Sequence, residues 1–406
     1  MNSEIFTYVD SSPSSIGEGG PLAGKTIAIQ PNMSVSGWPT EAGSVALEHY
    51  IALEDATVVE RLRSAGATIT GSTRMSELGF GLMGDTASQA VAAGEVDIAL
   101  ITDTMGEARV AASATSIFGF KPSYGIVSRF GLIGLIPSME CYGILAKTHG
   151  EIASIMDIIA GRDDKDLSMP DNNIPDSSQV GKNRTTLGTL GVIRECIESL
   201  GSAESKAFNT ALSRLKEAGL MIEEISLADF NLFRAVHNVI GSVEASSSCG
   251  KYDGVRYGHR TESSKNWNEM YLKSRAESFG SLVKSYLFQG AYFQFENYAA
   301  FENACRVRAR LQRKTEELYR TVDMLILPAG QTDSLRIDNT TTINEVYDIF
   351  PLTLVANVTG QPAIHIPGSL FGKETDPGLQ FMAPRLGDAR LLALADILTV
   401  SAQGGE

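Results

Sequence analysis

Short apolar runs alternate along the chain with segments of helical periodicity. The apolar runs predict strands, and the periodic segments predict helices. The predicted strands cover residues 5–9, 26–29, 67–70, 96–101, 189–193, 220–225, 323–328, 363–366 and 379–382. The predicted helices cover residues 54–65, 87–93, 108–114, 203–218 and 389–398, with a helix-rich section at 227–319. This alternation predicts an α/β fold with a mixed, mainly parallel central sheet covered by helices on both faces.

The polar segment around residues 168–184 interrupts this pattern. It is rich in Pro, Asp, Asn and Ser and predicts a surface loop. We found no repeat and no low-complexity tract, so we expect one domain over residues 1–406.

A sharp turn follows the predicted strand 96–101. The chain passes Thr102, Asp103, Thr104, Met105 and Gly106 and then enters a helix of small residues. A tight turn from strand to helix exposes backbone N–H groups and the positive end of a helix dipole. Such a turn suits an anion, or an oxyanion that develops during acyl transfer.

The turn lies in the sequence TDTMGEARVAASATSIFGFKPSYG, residues 102–125. This stretch resembles the amidase signature family, whose core reads approximately D-T-G-G-S-I-R, then a small-residue helix, then G-x-K-P-T-Y-G. The matching positions are Asp103, Thr104, Gly106, Arg109, Lys121, Pro122, Tyr124 and Gly125. The resemblance extends over residues 20–398 and implies the amidase signature fold.

Further motifs resemble one branch of this family. They are EASSSCGKYDGVRYGHR at 244–260, EMYLKSRAESFG at 269–280 and CRVRARL at 305–311. The branch comprises A subunits of the tRNA-dependent glutamyl/aspartyl amidotransferase. The resemblance implies a subunit that hydrolyses glutamine, a B subunit that uses the ammonia on mischarged tRNA, and a small C subunit. It therefore implies B-type or C-type subunits as candidate partners, and a homo-oligomer stays open as an alternative.

The resemblance also implies a catalytic triad, which this sequence lacks. Family members use a lysine as base, a cis-configured serine as relay and a second serine as nucleophile. These positions read Gln30, Met83 and Glu107 here. An amide has no useful pKa for a general base, and without a base a hydroxyl is a weak nucleophile. The sequence therefore predicts that the chain is not an amidase by the family mechanism.

Two positions that the resemblance assigns to glutamine binding also differ. Tyr286 stands where we expect an arginine for the substrate carboxylate, and Phe350 stands where we expect an acid for the amine. Asp348 could replace that acid if the backbone shifted by two residues. We interpret Met83, Tyr286 and Phe350 as side chains that fill the former pocket; the alternative is a remodelled apolar substrate pocket.

Glu107 has two interpretations. It is either a helix N-terminal carboxylate stabilised by the dipole, held by the N–H groups of the turn, or a catalytic acid or base in an inherited pocket. We interpret Gln30 as a strand-end amide bonded to backbone that can also donate to Glu107. Asp103 and Arg109 are expected to make structural contacts inside the turn, and Lys121 is expected to be structural.

The amino-acid composition argues against several classes of function. The net charge of −14 over 406 residues argues against direct binding of nucleic acid, which needs clustered Lys and Arg. Four separated cysteines and five separated histidines predict neither disulfides nor a metal site, and no cofactor motif is present. The N-terminus does not resemble a signal peptide, and no apolar run reaches the ~18 residues of a membrane span. These features predict a cytoplasmic protein.

Whether the chain is an enzyme stays open at this point. The favoured hypothesis is a pseudoenzyme that acts as a scaffold, a regulator or a subunit of a complex. The alternative is a retooled enzyme in which Glu107 acts as acid or base on a substrate other than glutamine. A ligand-binding protein without turnover is weaker, and an active amidase is the least favoured hypothesis.

Overall fold

A computed structural model of the chain describes residues 2–13, 19–82, 85–170, 188–198, 200–329, 340–371 and 378–403. Met83 and most of the predicted loop 168–184 lie outside the described residues. The strands are Phe6–Val9 (β1), Thr26–Ile29 (β2), Thr68–Thr73 (β3), Ile98–Asp103 (β4), Phe118–Lys121 (β5), Cys141–Ala146 (β6), Thr189–Ile193 (β7), Met221–Ile225 (β8), Met324–Pro328 (β9), Ala363–Ile366 (β10) and Leu379–Met382 (β11).

The helices connect and cover these strands. They are Thr57–Ser64 (α1), Ala87–Ala92 (α2), Glu107–Thr115 (α3), His149–Ile159 (α4), Arg194–Glu198 (α5), Ser202–Glu217 (α6), Leu232–Ser248 (α7), Trp267–Ser278 (α8), Ser281–Ala291 (α9), Tyr298–Leu318 (α10), Ile343–Ile349 (α11), Leu354–Thr359 (α12) and Asp388–Gln403 (α13). No helix among the described residues is long and apolar enough to cross a lipid bilayer.

The strands form one mixed sheet in the order β1-β3-β2-β4-β6-β5-β10-β11-β9-β7-β8. The mixed sheet with helices is confirmed, but the expectation of mainly parallel pairing is wrong. Among the described strands, β2 pairs in parallel with β3 and β4, and β7 pairs in parallel with β8 and β9. The other pairings are antiparallel. Alternation of strands and helices along a sequence does not fix sheet order: β6 lies between β4 and β5 and runs opposite to both.

Strand β4 carries apolar side chains to both faces of the sheet. Ile98 and Leu100 belong to one core, together with residues of α1, α4 and α13. Ala99 and Ile101 point to the other face, where they pack with small residues of α2 and α3. Successive side chains of a strand point in opposite directions, so a strand covered on both faces reads as a continuous apolar run.

The predicted helix-rich section contains α7 to α10. Helix α7 packs against both α9 and α10, and it also contacts α12. These helices form a second large core with Met105, Val110, Tyr286 and Phe350. The section therefore lies over the end of β4, where the turn at residues 104–106 begins.

Gly106 makes the step from β4 to α3. Its φ of 124° lies in the region that favours glycine, and α3 begins at the next residue. A Cβ added at this position would lie 2.2 Å from the Cβ and Oγ1 atoms of Thr353. Glycine is thus required both by backbone conformation and by the close approach of the segment before α12.

We predict that Gly106→Ala lowers the free energy of unfolding by about 2–4 kcal/mol, because it combines backbone strain with overpacking. Chemical denaturation at fixed pH measures this loss. Gly37→Ala is the matched control: Gly37 also has positive φ, 81°, but an added Cβ meets no atom within 4 Å. Equal losses in the two variants would contradict the role given to Thr353.

Candidate functional site

The turn before α3 binds a side chain of its own chain. Glu107 Oε2 accepts hydrogen bonds from the backbone N–H groups of Thr104 at 2.7 Å, Met105 at 2.7 Å and Gly106 at 3.0 Å. Glu107 is itself the first residue of α3 and is buried. The contact between the turn and the Glu107 carboxylate, which the sequence predicts, is present.

The two oxygens of Glu107 have different surroundings. Oε2 has three donors, whereas Oε1 is buried without a hydrogen-bond partner among the described residues. Burial, with a smaller contribution from the charge of Asp103, raises the pKa of Glu107 to about 8, against the lowering effect of the backbone donors. Oε1 is therefore the atom of this side chain that can carry or exchange a proton.

Asp103 and Arg109 form a buried ion pair beneath the turn. Arg109 Nη2 lies 2.8 Å from Asp103 Oδ1, and Nε donates to Oδ2 at 3.2 Å. The guanidinium also donates to the Thr353 carbonyl, to Gln380 and to Asn357. Asn357 in turn donates to both the carbonyl and the carboxylate of Asp103. This network ties the end of β4 to α12 and β11, which is the structural role expected for both residues.

Gln30 does not bond Glu107, contrary to the sequence-based expectation. Its Oε1 accepts from the backbone N–H of Thr102 at 2.9 Å, and its Nε2 donates to Asp85 Oδ1 at 2.6 Å. The expectation of a bond to backbone is met. Burial raises the pKa of Asp85 to about 7. Gln30 is held by Thr102 at the end of β4 and by Asp85, so both ends of its amide have partners other than Glu107.

A chain of buried hydrogen bonds connects the turn to Tyr286. His237 Nε2 lies 2.9 Å from the Thr104 carbonyl, and His237 Nδ1 lies 2.8 Å from the Tyr347 hydroxyl. The Tyr347 and Tyr286 hydroxyls are 3.0 Å apart. Burial lowers the pKa of His237 to about 4, so the ring is neutral at pH 7.

The direction of each bond in this chain follows from chemistry. A carbonyl only accepts, so Nε2 carries the proton and donates to Thr104. The neutral ring then accepts at Nδ1 from the Tyr347 hydroxyl, whose oxygen accepts from Tyr286. Both backbone groups of Thr104 are therefore engaged: its N–H donates to Glu107 and its C=O accepts from His237.

Tyr286 and Phe350 are the other two positions that we interpret as filling the former pocket. Tyr286 and Phe350 are both fully buried, and Tyr286 stacks on Phe80 with 4.3 Å between ring centroids. Asp348, the alternative acid, lies on the surface and pairs with Arg234. Lys121 is buried and donates to the Pro122 carbonyl at 2.8 Å, consistent with its structural interpretation.

Sequence reasoning missed several residues that contact the site residues, among them Asp85, His237, Tyr347 and Thr353. His237 and Thr104 are 133 positions apart, and the Thr353 hydroxyl donates to the Met105 carbonyl across 248 positions. No local pattern marks such pairs.

Two cavities lined by described residues lie away from Glu107. One, of about 370 Å³, lies between α9 and the start of α11, and one of about 20 Å³ lies beside α6. Among the described residues, no group of three or more His, Cys, Asp or Glu side chains is arranged to hold a metal ion.

Comparison with known proteins identifies the family. The model of the family described as Amidase matches residues 7–89 and 87–392. The chain belongs to the amidase family. It is 34% identical over 407 residues to the glutamyl-tRNA(Gln) amidotransferase A subunit of Fusobacterium nucleatum, covering 93% of this chain and 83% of that protein. It is 33% identical to the protein of the same name from Natronomonas pharaonis, covering 93% and 96%.

Solved amidase-family structures share the fold. The glutamyl-tRNA(Gln) amidotransferase A subunit of Thermotoga maritima superposes with a TM-score of 0.76 at 25% identity, covering 97% of this chain and 87% of that chain. A structure described simply as an amidase gives a TM-score of 0.73 at 26% identity, covering 94% and 85%. These matches confirm the resemblance to the amidase family and to its amidotransferase A subunits.

We predict a pH dependence of stability that depends on Glu107. Its pKa is about 8 in the folded chain against an ordinary 4.5, so the folded state binds more protons than the unfolded state between these values. The free energy of unfolding therefore falls as pH rises from about 4.5 to 8. Denaturation at several pH values measures it.

Glu107→Gln keeps an oxygen for the three N–H donors but cannot ionise. The difference in unfolding free energy between wild type and Glu107→Gln should therefore change across this pH window. Asp85→Asn is the control. The pKa of Asp85 is also raised, to about 7, so its contribution to the pH dependence of stability must be measured separately from that of Glu107. Parallel curves for wild type and Glu107→Gln would contradict the assignment.

Proposed function

We propose that this chain is a catalytically degenerate member of the amidase family that acts as a scaffold, a regulator or a subunit of a complex. One observation carries the proposal: the turn that is suited to an oxyanion is occupied by the chain's own Glu107 carboxyl group. The three N–H donors on Oε2 are engaged before any substrate arrives. Hydrolysis of glutamine by the family mechanism is therefore not expected.

The surrounding residues support this proposal. Gln30 cannot act as a base, and its amide is already bonded to Thr102 and Asp85. Tyr286 offers a hydroxyl in place of a bidentate arginine clamp for a carboxylate, and that hydroxyl is bonded to Tyr347. An ionised Glu107 would also oppose a developing oxyanion, by about 1 kcal/mol at ~4 Å in water and by more in a shielded site.

The relatives supply the partner class for this proposal. They are named as A subunits of an amidotransferase, so a degenerate A-type chain would bind B-type or C-type subunits without supplying ammonia. The formal charge of −14 makes direct contact with tRNA phosphates by this chain unfavourable. The proposed role is therefore to regulate or scaffold such a complex.

We predict that the purified chain releases no ammonia from glutamine or asparagine above background, alone or with B-type and C-type subunits. A coupled ammonia assay measures this release. Glu107→Ser should also be inactive, because it returns a hydroxyl while leaving Gln30 in place of a base. A thermal melt shows that the variant is folded. If the wild-type chain released ammonia above background and Glu107→Ala released it at the same rate, the proposal would be overturned.

A second function is favoured by the free oxygen of Glu107. Oε1 is buried without a partner among the described residues, and its pKa near 8 suits proton transfer close to neutral pH. In this alternative the chain is a retooled enzyme that moves a proton on a ligand other than glutamine. A bound ligand that contacts Oε1, with turnover lost in Glu107→Gln while binding is kept, would favour this alternative over the pseudoenzyme.

A further inference from the structure

The larger cavity lies between α9 and the start of α11, and the proposed function does not use it. Its volume of about 370 Å³ falls within the ~300–1,000 Å³ that is typical of small-molecule sites. Ser281, Leu282, Ser285 and Gln289 of α9 form one wall, and residues 340–344 form the other. None of these residues holds Glu107. We call this place the α9–α11 cavity.

The lining of the α9–α11 cavity carries no charged side chain. Of its nine residues, five have a hydroxyl group, two have an amide and two have an alkyl side chain. Charged groups close by in the sequence have other partners. The Glu345 carboxylate accepts from the N–H and the hydroxyl of Thr342, and Asp348 pairs with Arg234. A ligand in the cavity therefore meets uncharged groups.

Two of the lining side chains offer acceptors. The Ser285 hydroxyl donates its only proton to the Ser281 carbonyl at 2.9 Å, so its oxygen can only accept from a ligand. Gln289 Nε2 donates to Asn238 Oδ1 at 2.7 Å, which leaves Gln289 Oε1 as an acceptor. The Asn344 amide, on the opposite wall, supplies both donors and an acceptor.

This lining selects a class of ligand. A carboxylate or a phosphate only accepts, so it finds no donor at Ser285. An ammonium group would lose its hydration without a carboxylate in the lining to replace it. A hydroxyl group both donates and accepts. Because the hydrogen-bonding side chains lie on both walls, a ligand with hydroxyl groups around its perimeter matches more of them than a single amide does.

We propose that the α9–α11 cavity binds a small uncharged polyol, namely a monosaccharide or a disaccharide. The two alkyl side chains of the lining, Leu282 and Ile343, fit this class as well. A sugar ring has C–H faces between its hydroxyl groups, and those faces pack on apolar side chains. The site is separate from the turn at Glu107, so the proposal holds whether the chain is a pseudoenzyme or a retooled enzyme.

Calorimetric titration of the full chain tests the proposal, with glucose, galactose, mannose and maltose as probes. At least one of these sugars should bind with a Kd of about 5 mM or tighter. The uronate and the amino sugar that correspond to the binding sugar both carry a charge at about pH 6.5. Each should bind at least ~10-fold more weakly than the neutral parent, because the lining has no charge to pair with it.

Ser285→Leu should weaken binding of the neutral sugar by at least ~10-fold, because the larger side chain fills the cavity and removes an acceptor. Ser213→Leu is the matched control. Ser213 is also an exposed helix serine, and its hydroxyl donates to the carbonyl four residues earlier, as that of Ser285 does. Leucine is a good helix former, so both variants should give cooperative thermal melts, and Ser213→Leu should bind the sugar normally.

Asn344→Asp adds a carboxylate to the lining in the first turn of α11, where an acid is compatible with the helix. It should weaken binding of the neutral sugar and strengthen binding of the amino sugar by at least ~5-fold. The proposal is overturned if no neutral sugar binds, or if the uncharged amide N-acetylglycinamide binds more tightly than every sugar. Equal weakening by Ser285→Leu and Ser213→Leu, or unchanged selectivity in Asn344→Asp, would also overturn it.

Discussion

The arrangement of the site depends on three backbone N–H groups that converge on one oxygen of Glu107. A strand-to-helix turn creates unsatisfied donors because the first N–H groups of a helix have no intrahelical partner. Here Glu107, the first residue of α3, accepts hydrogen bonds through its side chain from the N–H groups of the three residues before it. The three N–H donors of the turn therefore have an acceptor within the chain itself. In an open oxyanion hole, by contrast, the donors are left for a ligand.

Other parts of the site hold that turn in place. The Asp103–Arg109 pair and Asn357 fix the end of β4, and the Thr353 hydroxyl holds the Met105 carbonyl. These buried polar groups bond to one another, and such networks define a single arrangement when every member is satisfied. The exceptions are Glu107 Oε1 and Thr104 Oγ1, which lack partners among the described residues. Within this network, the polar atoms that lack a partner therefore lie in the turn itself.

The sequence predicted the α/β class, the covered mixed sheet, the turn and the contact between the turn and Glu107. These follow from local patterns or from matching family motifs residue by residue. It predicted too much parallel pairing, because strand order depends on contacts between distant segments, such as β6 entering between β4 and β5. For Gln30, the predicted bond to backbone is present, whereas the predicted bond to Glu107 is replaced by one to Asp85. No local sequence pattern indicates that Asp85 or His237 contacts the site. Met83 lies outside the described residues.

The covalent link between Glu107 and the turn has a consequence for any external anion. Glu107 occupies the donors as an intramolecular ligand, so it competes at an effective concentration of millimolar or higher that no dilution reduces. An external carboxylate or phosphate must displace it and leave its carboxyl group without three donors in a buried place. Toward an external anion, Glu107 is therefore an intramolecular competitor that is present in every copy of the chain at a ratio of one to one.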